Sequence, residues 1–235
     1  MWNSWGCSVR GPRHKKNSRP NQDAWKARVY RWGNVLAVSD GLGSKPLSDI
    51  GSKAACCAVI NAARFFAAHP SAQIETLPQL IHSLWRIHLG SYYVRDCCAT
   101  CLFAIQISDR IILGRLGDGL IAALGDRNTP VFMTDEKEDS FSNITDCLSE
   151  DFYNKQWELK ELKASLYPRI MLCTDGVSDD LTIEGRETFS GEVFKNGNDL
   201  AELRRALVEW PVPGHSDDKT VACLVNNAPM EFSDA

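Results

Sequence analysis

Three times along this chain an apolar, strand-like run ends on aspartate followed by glycine. Leu36-Ala37-Val38-Ser39 leads into Asp40-Gly41, Ile112 to Gly117 leads into Asp118-Gly119, and Ile170 to Thr174 leads into Asp175-Gly176. A strand fixes where its terminal carboxylate points, and the glycine turns the chain without a side chain blocking that carboxylate. A single Asp-Gly marks only a turn. Three of them, joined by Asp217-Asp218 ahead of another apolar run, predict carboxylates gathered at strand ends. Hard divalent cations take oxygen ligands, and magnesium combines a few carboxylates with retained waters. If the strand ends converge, they make a metal site.

The residues between these motifs give the elements. Ala27 to Trp32 and Asn34 to Ser39 read as a hairpin turning at Gly33. Ser48 is placed to cap a helix over 49–68, where Ile50, Ala54, Ala58 and Ala62 recur at helical spacing. A second amphipathic helix is predicted over 77–89. From Ala99 the period changes: 99–107, 110–116, 120–124 and 130–133 read as a meander, with Ser108-Asp109 as one turn. The acidic stretch from Thr134 to Pro168 is expected to be a flap-like surface insertion. A strand over 169–173, a helix over 199–209 and a strand over 220–225 complete the pattern. Strands and helices that must each bury an apolar face predict an α+β sandwich. At 235 residues we expect a single domain, 1–235.

Charge excludes some partners. The 26 basic and 30 acidic residues leave a net charge of -4, which offers no general attraction to nucleic acid or an anionic membrane. The exception is a basic cluster, Arg10, Arg13, His14, Lys15, Lys16 and Arg19, read either as a solvated loop or as a phosphate-docking site. The N-terminal segment lacks the order of a signal peptide, and no apolar run approaches a membrane span, so a cytoplasmic location is expected. Nine cysteines are then expected to be thiols. Cys97, Cys98 and Cys101 include a CxxC spacing without a second ligand pair, so they are read as buried small hydrophobes rather than a zinc site. The loop Asp40-Gly41-Leu42-Gly43-Ser44 lacks full GxGxxG spacing, and Asp40 would repel a pyrophosphate unless a metal intervened.

Five motifs in order resemble the type-2C, metal-dependent protein phosphatase family, in particular its compact bacterial members. They are Asn21-Gln22-Asp23, Val38-Ser39-Asp40-Gly41-Leu42-Gly43, Gly117-Asp118-Gly119, Thr174-Asp175-Gly176-Val177-Ser178-Asp179 and Ser216-Asp217-Asp218-Lys219-Thr220. The resemblance implies a four-layer α-β-β-α sandwich, two central antiparallel sheets flanked by helices, with two manganese or magnesium ions at one end. It implies that Asp40 bridges both ions, that the Gly41 carbonyl coordinates one, and that Asp175 and Asp217 bind the other. Asp23 would hold a metal-coordinated water, and Asp118 matches the position of a third, weaker ion. Many relatives have glutamate where this chain has Gln22, and many eukaryotic relatives place a histidine where it has Leu42. The phosphate-binding arginine falls at Arg13, or its role passes to His14.

The activity so implied is hydrolysis of phosphoserine and phosphothreonine in proteins by a metal-activated water, opposed by a serine/threonine kinase. Two ions acidify a water and clamp both oxygens of an in-line displacement. No cysteine needs to act, since the Cys-x5-Arg spacing of thiol phosphatases is missing. Two other readings stay open: a silent, phosphatase-like regulatory binding module, and a hydrolase of small phosphate esters.

Overall fold

A computed structural model describes residues 1–134, 145–197 and 199–227. Among the described residues ten strands form two antiparallel sheets of five. The first contains β1 (Trp2–Val9), β10 (Lys219–Asn226), β9 (Arg169–Cys173), β6 (Leu120–Leu124) and β7 (Val131–Met133), in that order. The second runs β2 (Ala24–Tyr30), β3 (Gly33–Ser39), β4 (Cys101–Ile107), β5 (Arg110–Leu116) and β8 (Glu158–Lys163).

The strands are apolar on both faces because both faces are covered. Leu36 and Val38 of β3, with Leu102, Ala104 and Leu113, meet Ile170, Leu172, Ala222 and Leu224 between the sheets. The alternate residues of β3, Val35 and Ala37, face outward onto helices α2 (Ser48–Ala68) and α3 (Leu77–Leu89), with Phe103, Ile105 and Trp85. On the far side Val9, Met171, Cys173, Val221 and Cys223 are covered by α4 (Asp175–Ser178), α5 (Ile183–Asn196) and α6 (Leu200–Val208), through Val177, Val193 and Leu207. The four layers are thus helix, sheet, sheet, helix, as the sequence led us to expect. The small alanines of α2 let it lie close against the second sheet.

Four expectations are corrected. The run from Ala99 to Met133 is not one meander: β4 and β5 pair in the second sheet, whereas β6 and β7 pair in the first. The chain changes sheets at Gly117-Asp118-Gly119, where φ of +83° and +116° gives a bend open mainly to glycine. The stretch expected as an insertion contributes β8, paired along β5 from Arg110↔Lys163 to Arg115↔Glu158. Glu-Leu-Lys-Glu-Leu-Lys carries helical spacing and helix-forming residues, but its register against β5 wins, and its charges suit an edge. Residues 135–144 of the expected flap lie outside the described residues. Ser48 begins α2 but does not cap it; Leu47 is the cap residue and the buried Ser48 Oγ has no hydrogen-bond partner. Finally, the basic segment is not all loop: Pro12–Lys16 form the short helix α1, with Pro12 at its first position.

Candidate active site

Sheet register brings the motif ends together. Ala24 pairs with Ser39, Cys101 with Leu116, Leu120 and Val221 with Cys173, and Val9 with Lys219. The start of β2, the end of β3, the β5–β6 connection, the end of β9, the start of β10 and the end of β1 therefore share one edge of the sandwich. Asp23 and Asp40 adjoin these ends directly, and Asp118, Asp175, Asp217 and the start of α1 lie within three residues of them.

Asp23 is buried and joins the two sheets. Its Oδ2 accepts from Thr174 Oγ1 at 2.8 Å and Thr220 Oγ1 at 2.7 Å, both from the opposite sheet. Its Oδ1 is buried and has no donor partner. The Asp40 carboxyl lies beside Asp23. Burial pushes Asp23 up to about 6, and the nearby charge of Asp218 adds to the rise. Burial also raises Asp40 well above the usual carboxylate range, reinforced by Asp23, Asp175 and Asp217. Asp175 is pushed to about 7 by burial, then by Asp23, Asp217 and Asp179. Four carboxyl groups therefore crowd one another. Among the described residues no group of three or more His, Cys, Asp or Glu side chains is already placed to hold a metal ion.

The backbone of this loop cluster is held from behind. Thr100 N–H donates to the Asp40 carbonyl at 2.8 Å, and Asp40 N–H donates to Thr100 Oγ1 at 2.9 Å. Gly41 N–H donates to the Gln22 carbonyl at 3.1 Å and Leu42 N–H to the Cys98 carbonyl at 3.0 Å. The Gln22 side chain is buried with its Oε1 unpartnered. Asp118, in the crossover between sheets, accepts from Thr145 Oγ1 at 2.7 Å.

Asp217 and Asp218, adjacent in sequence, are used differently. Asp217 is exposed and faces the acid cluster. Asp218 is buried, and its carboxylate accepts from Gly11 N–H and Gln22 N–H, each at 2.6 Å, while its Oδ2 lies 2.8 Å from His14 Nδ1. Asp218 thereby ties α1 to the sheet, and a Cβ on Gly11 would overlap the Asp217 backbone. Of the two candidates on α1, His14 is buried in that contact with Asp218, whereas Arg13 is exposed beside Lys15 and Lys16. Arg19 lies further on and donates to the Gly43 carbonyl at 3.1 Å.

Sequence reading had missed Thr174, Thr220 and Asp218. All three stand inside the quoted motifs, but a hydroxyl's partner across two sheets leaves no local signal. Cys97, Cys98 and Cys101 are buried, as expected.

The comparisons with known proteins agree with this architecture. The chain superposes on a bacterial serine phosphatase with a TM-score of 0.67 at 17% identity, covering 100% of both chains. Against the serine/threonine phosphatase Stp1 from Staphylococcus aureus the TM-score is 0.67 at 16% identity, over 97% of this chain and 96% of Stp1. The catalytic domain of the serine/threonine protein phosphatase PstP, in complex with two manganese ions, gives 0.61 at 17% identity, over 95% and 97% of the two chains. No curated protein shows significant similarity to the chain. The sequence model of protein phosphatase 2C matches residues 10–210. The chain therefore belongs to the protein phosphatase 2C family, the metal-dependent phosphatases of phosphoserine and phosphothreonine in proteins.

Proposed function

We propose that Asp23, Asp40, Asp175 and Asp217, with the Gly41 carbonyl, hold two divalent ions, manganese or magnesium, and that Arg13 holds the phosphoryl group of a phosphorylated protein. The observation that carries this is the crowding of the Asp23, Asp40, Asp175 and Asp217 carboxyls at the edge where both sheets end, with one buried Asp23 oxygen left unpartnered. The donor set fits such ions: all oxygen, with few carboxylates per ion. When bound, the ions supply Lewis-acid activation of water and charge neutralisation at the phosphoryl oxygens.

The chain's own residues do the rest. Thr174 and Thr220 hold one oxygen of Asp23 and leave the other without a protein donor. Asp40 and Asp175 would have to give up their protons to hold the ions, which would couple loading to pH. Arg13 presents a planar fork that matches phosphate. His14, held by Asp218, positions the helix carrying Arg13 rather than touching phosphate. Leu42 offers no proton, so the leaving serine or threonine oxygen must take its proton from solvent held in the site. Asp118, steadied by Thr145, would hold a third, weaker ion.

The protein acts on phosphorylated proteins, and a serine/threonine kinase is proposed as its opponent. Among the described residues no helix is long and apolar enough to cross a membrane. A cytoplasmic location is proposed. The deciding experiment is phosphate release from a phosphothreonine peptide with manganese, magnesium or chelator, run beside nucleotides. Metal-stimulated release from the peptide is expected. Release from nucleotides alone, or none with either metal, would overturn the reading.

A further inference from the structure

Residues 10–19 carry five cations, Arg10, Arg13, Lys15, Lys16 and Arg19, and no acid, in a chain whose net charge is -4. All five are exposed, and among the described residues none of them has an acidic partner. Other exposed cations of the chain are matched: Lys53 with Asp49, Arg110 with Glu161 and Arg205 with Glu202. Five like charges left together on one stretch repel one another, and an anionic partner relieves that.

The backbone holds these cations along the acid edge. His14 turns inward to Asp218, and successive helical residues step by about 100°, so Arg13 and Lys15 leave α1 on either side of His14 and Lys16 leaves it opposite. Arg13 N–H donates to the Ser216 carbonyl at 3.1 Å, next to Asp217. Past the helix, Arg19 N–H donates to the His14 carbonyl at 2.9 Å, and the Arg19 guanidinium donates to the Gly43 carbonyl at 3.1 Å, in the loop that begins at Asp40. The Arg10 guanidinium donates to the Arg19 carbonyl at 3.2 Å. The cations thus form one strip from the Asp217 loop to the Asp40 loop.

We propose that this strip docks the acidic side chains of a phosphorylated protein segment, so that the enzyme selects phosphoserine and phosphothreonine flanked by aspartate or glutamate. The inference rests on the phosphatase reading above and extends it from the phosphoryl group to its neighbours in the substrate chain. Arg13 takes the phosphoryl group, and Arg10, Lys15, Lys16 and Arg19 take the carboxylates around it.

Charge and reach decide the class of partner. The Asp23, Asp40, Asp175 and Asp217 carboxyls at the same edge would be balanced by the two divalent ions proposed there, which leaves the strip's positive charge for a ligand. An acidic segment is drawn to it, a neutral one gains nothing and a basic one is repelled. An extended chain advances about 3.4 Å per residue, so acids two to four residues from the phosphoresidue stand about 7–14 Å from it, the scale of a five-residue helix and its flanks. Exposed ion pairs are individually weak and screened by salt, so the selection is a sum over several contacts and fades as salt rises.

The test compares three phosphothreonine peptides of one length, with glutamate, glutamine or lysine at the flanking positions, at saturating manganese. At low salt kcat/KM should be at least about fivefold higher for the glutamate peptide than for the glutamine one, through a lower KM with kcat little changed. At about 1 M salt, where the screening length is about 3 Å, the preference should vanish. Lys15→Gln combined with Lys16→Gln should reduce the low-salt preference to about twofold or less, and leave release from the glutamine peptide as in wild type. Wild-type release that ignores the flanking charge, or a double variant that keeps the full preference, would overturn the docking strip. If wild type releases phosphate from no peptide, the phosphatase reading fails, and fluorescence anisotropy of the labelled peptides decides the strip by itself. Tighter binding of the glutamate peptide, weakened in the double variant, supports the strip, and equal binding overturns it. In that assay a single-stranded oligonucleotide that binds more tightly than the glutamate peptide would assign the strip to nucleic acid instead and overturn the substrate reading.

Discussion

Asp40 and Asp175 are in the unusual position of weakening the fold that displays them. Each is raised by burial and by its neighbours' charge, so a neutral isostere relieves repulsion even as it removes a ligand. Asp40→Asn and Asp175→Asn should each lose on the order of 100-fold or more in manganese-dependent turnover. Metal-free melting temperature at pH 7.5 should stay equal or rise. Full turnover at limiting manganese in either variant would show that the residue binds no ion. Arg13 and His14 should part in the same kind of assay. Arg13→Ala should raise KM and lower kcat together, about 10- to 100-fold in kcat/KM. The loss should be flat from pH 5.5 to 9, with stability unchanged. His14→Ala removes one of three donors to a buried carboxylate and should cost about 1–3 kcal/mol of stability, read by urea unfolding. Normal kinetics in both variants would leave phosphate to the metals alone.

At the scale of elements, the site depends on how strands end rather than on the strands themselves. The β5–β6 crossover must leave one sheet and enter the other within Gly117-Asp118-Gly119, and Gly117 sits at φ +83° against the Asp146 carbonyl. Gly117→Ala adds left-handed strain and an overlap, and should destabilise by about 1–3 kcal/mol. Because the bend also aims Asp118, any third-ion dependence of turnover should shift to higher manganese. Thermal unfolding alongside a manganese titration reads both, and an unchanged melting temperature would show that the bend relaxes freely. By contrast, α5 is anchored mainly by Val193 and capped by Thr182, whose Oγ1 accepts from Gly185 N–H at 3.1 Å. It was missed in the sequence because two glycines and a largely polar face hide its helical period.

For the whole molecule, the acid cluster makes stability depend on pH and metal together. Asp23 at about 6 and Asp175 at about 7 hold protons that an unfolded aspartate, near ~3.9, has already released. The metal-free folded state therefore binds more protons than the unfolded one between those values. Its stability should be fully present below about pH 4 and decline as pH rises through 6 to 7. Melting curves in chelator should show that fall. Manganese at saturation should reverse it, with the largest gain above pH 7, where ions bind without displacing protons. A chelated protein whose melting temperature climbs from pH 5 to 8 would show that these carboxyls are not held protonated.

Local sequence was enough to place the strand-ending aspartates, because an apolar run followed by Asp-Gly needs no distant partner to be recognised. The same holds for α3, whose apolar face repeats within its own length, and for the Ser108-Asp109 turn, where Ser108 takes φ +53°. Which sheet a strand joins was not decided locally. β5 and β6 are separated by three residues yet lie in different sheets, and β8, within a stretch that reads as a surface insertion, becomes a strand by pairing with β5. In each case the energy comes from backbone hydrogen bonds and burial between residues far apart in the chain. The distinct roles of Asp217 and Asp218, and of Arg13 and His14, follow from the same cause. Neighbours in sequence point to opposite sides of a strand end or helix turn, and only packing decides which side is the interior and which the open edge where the acids meet.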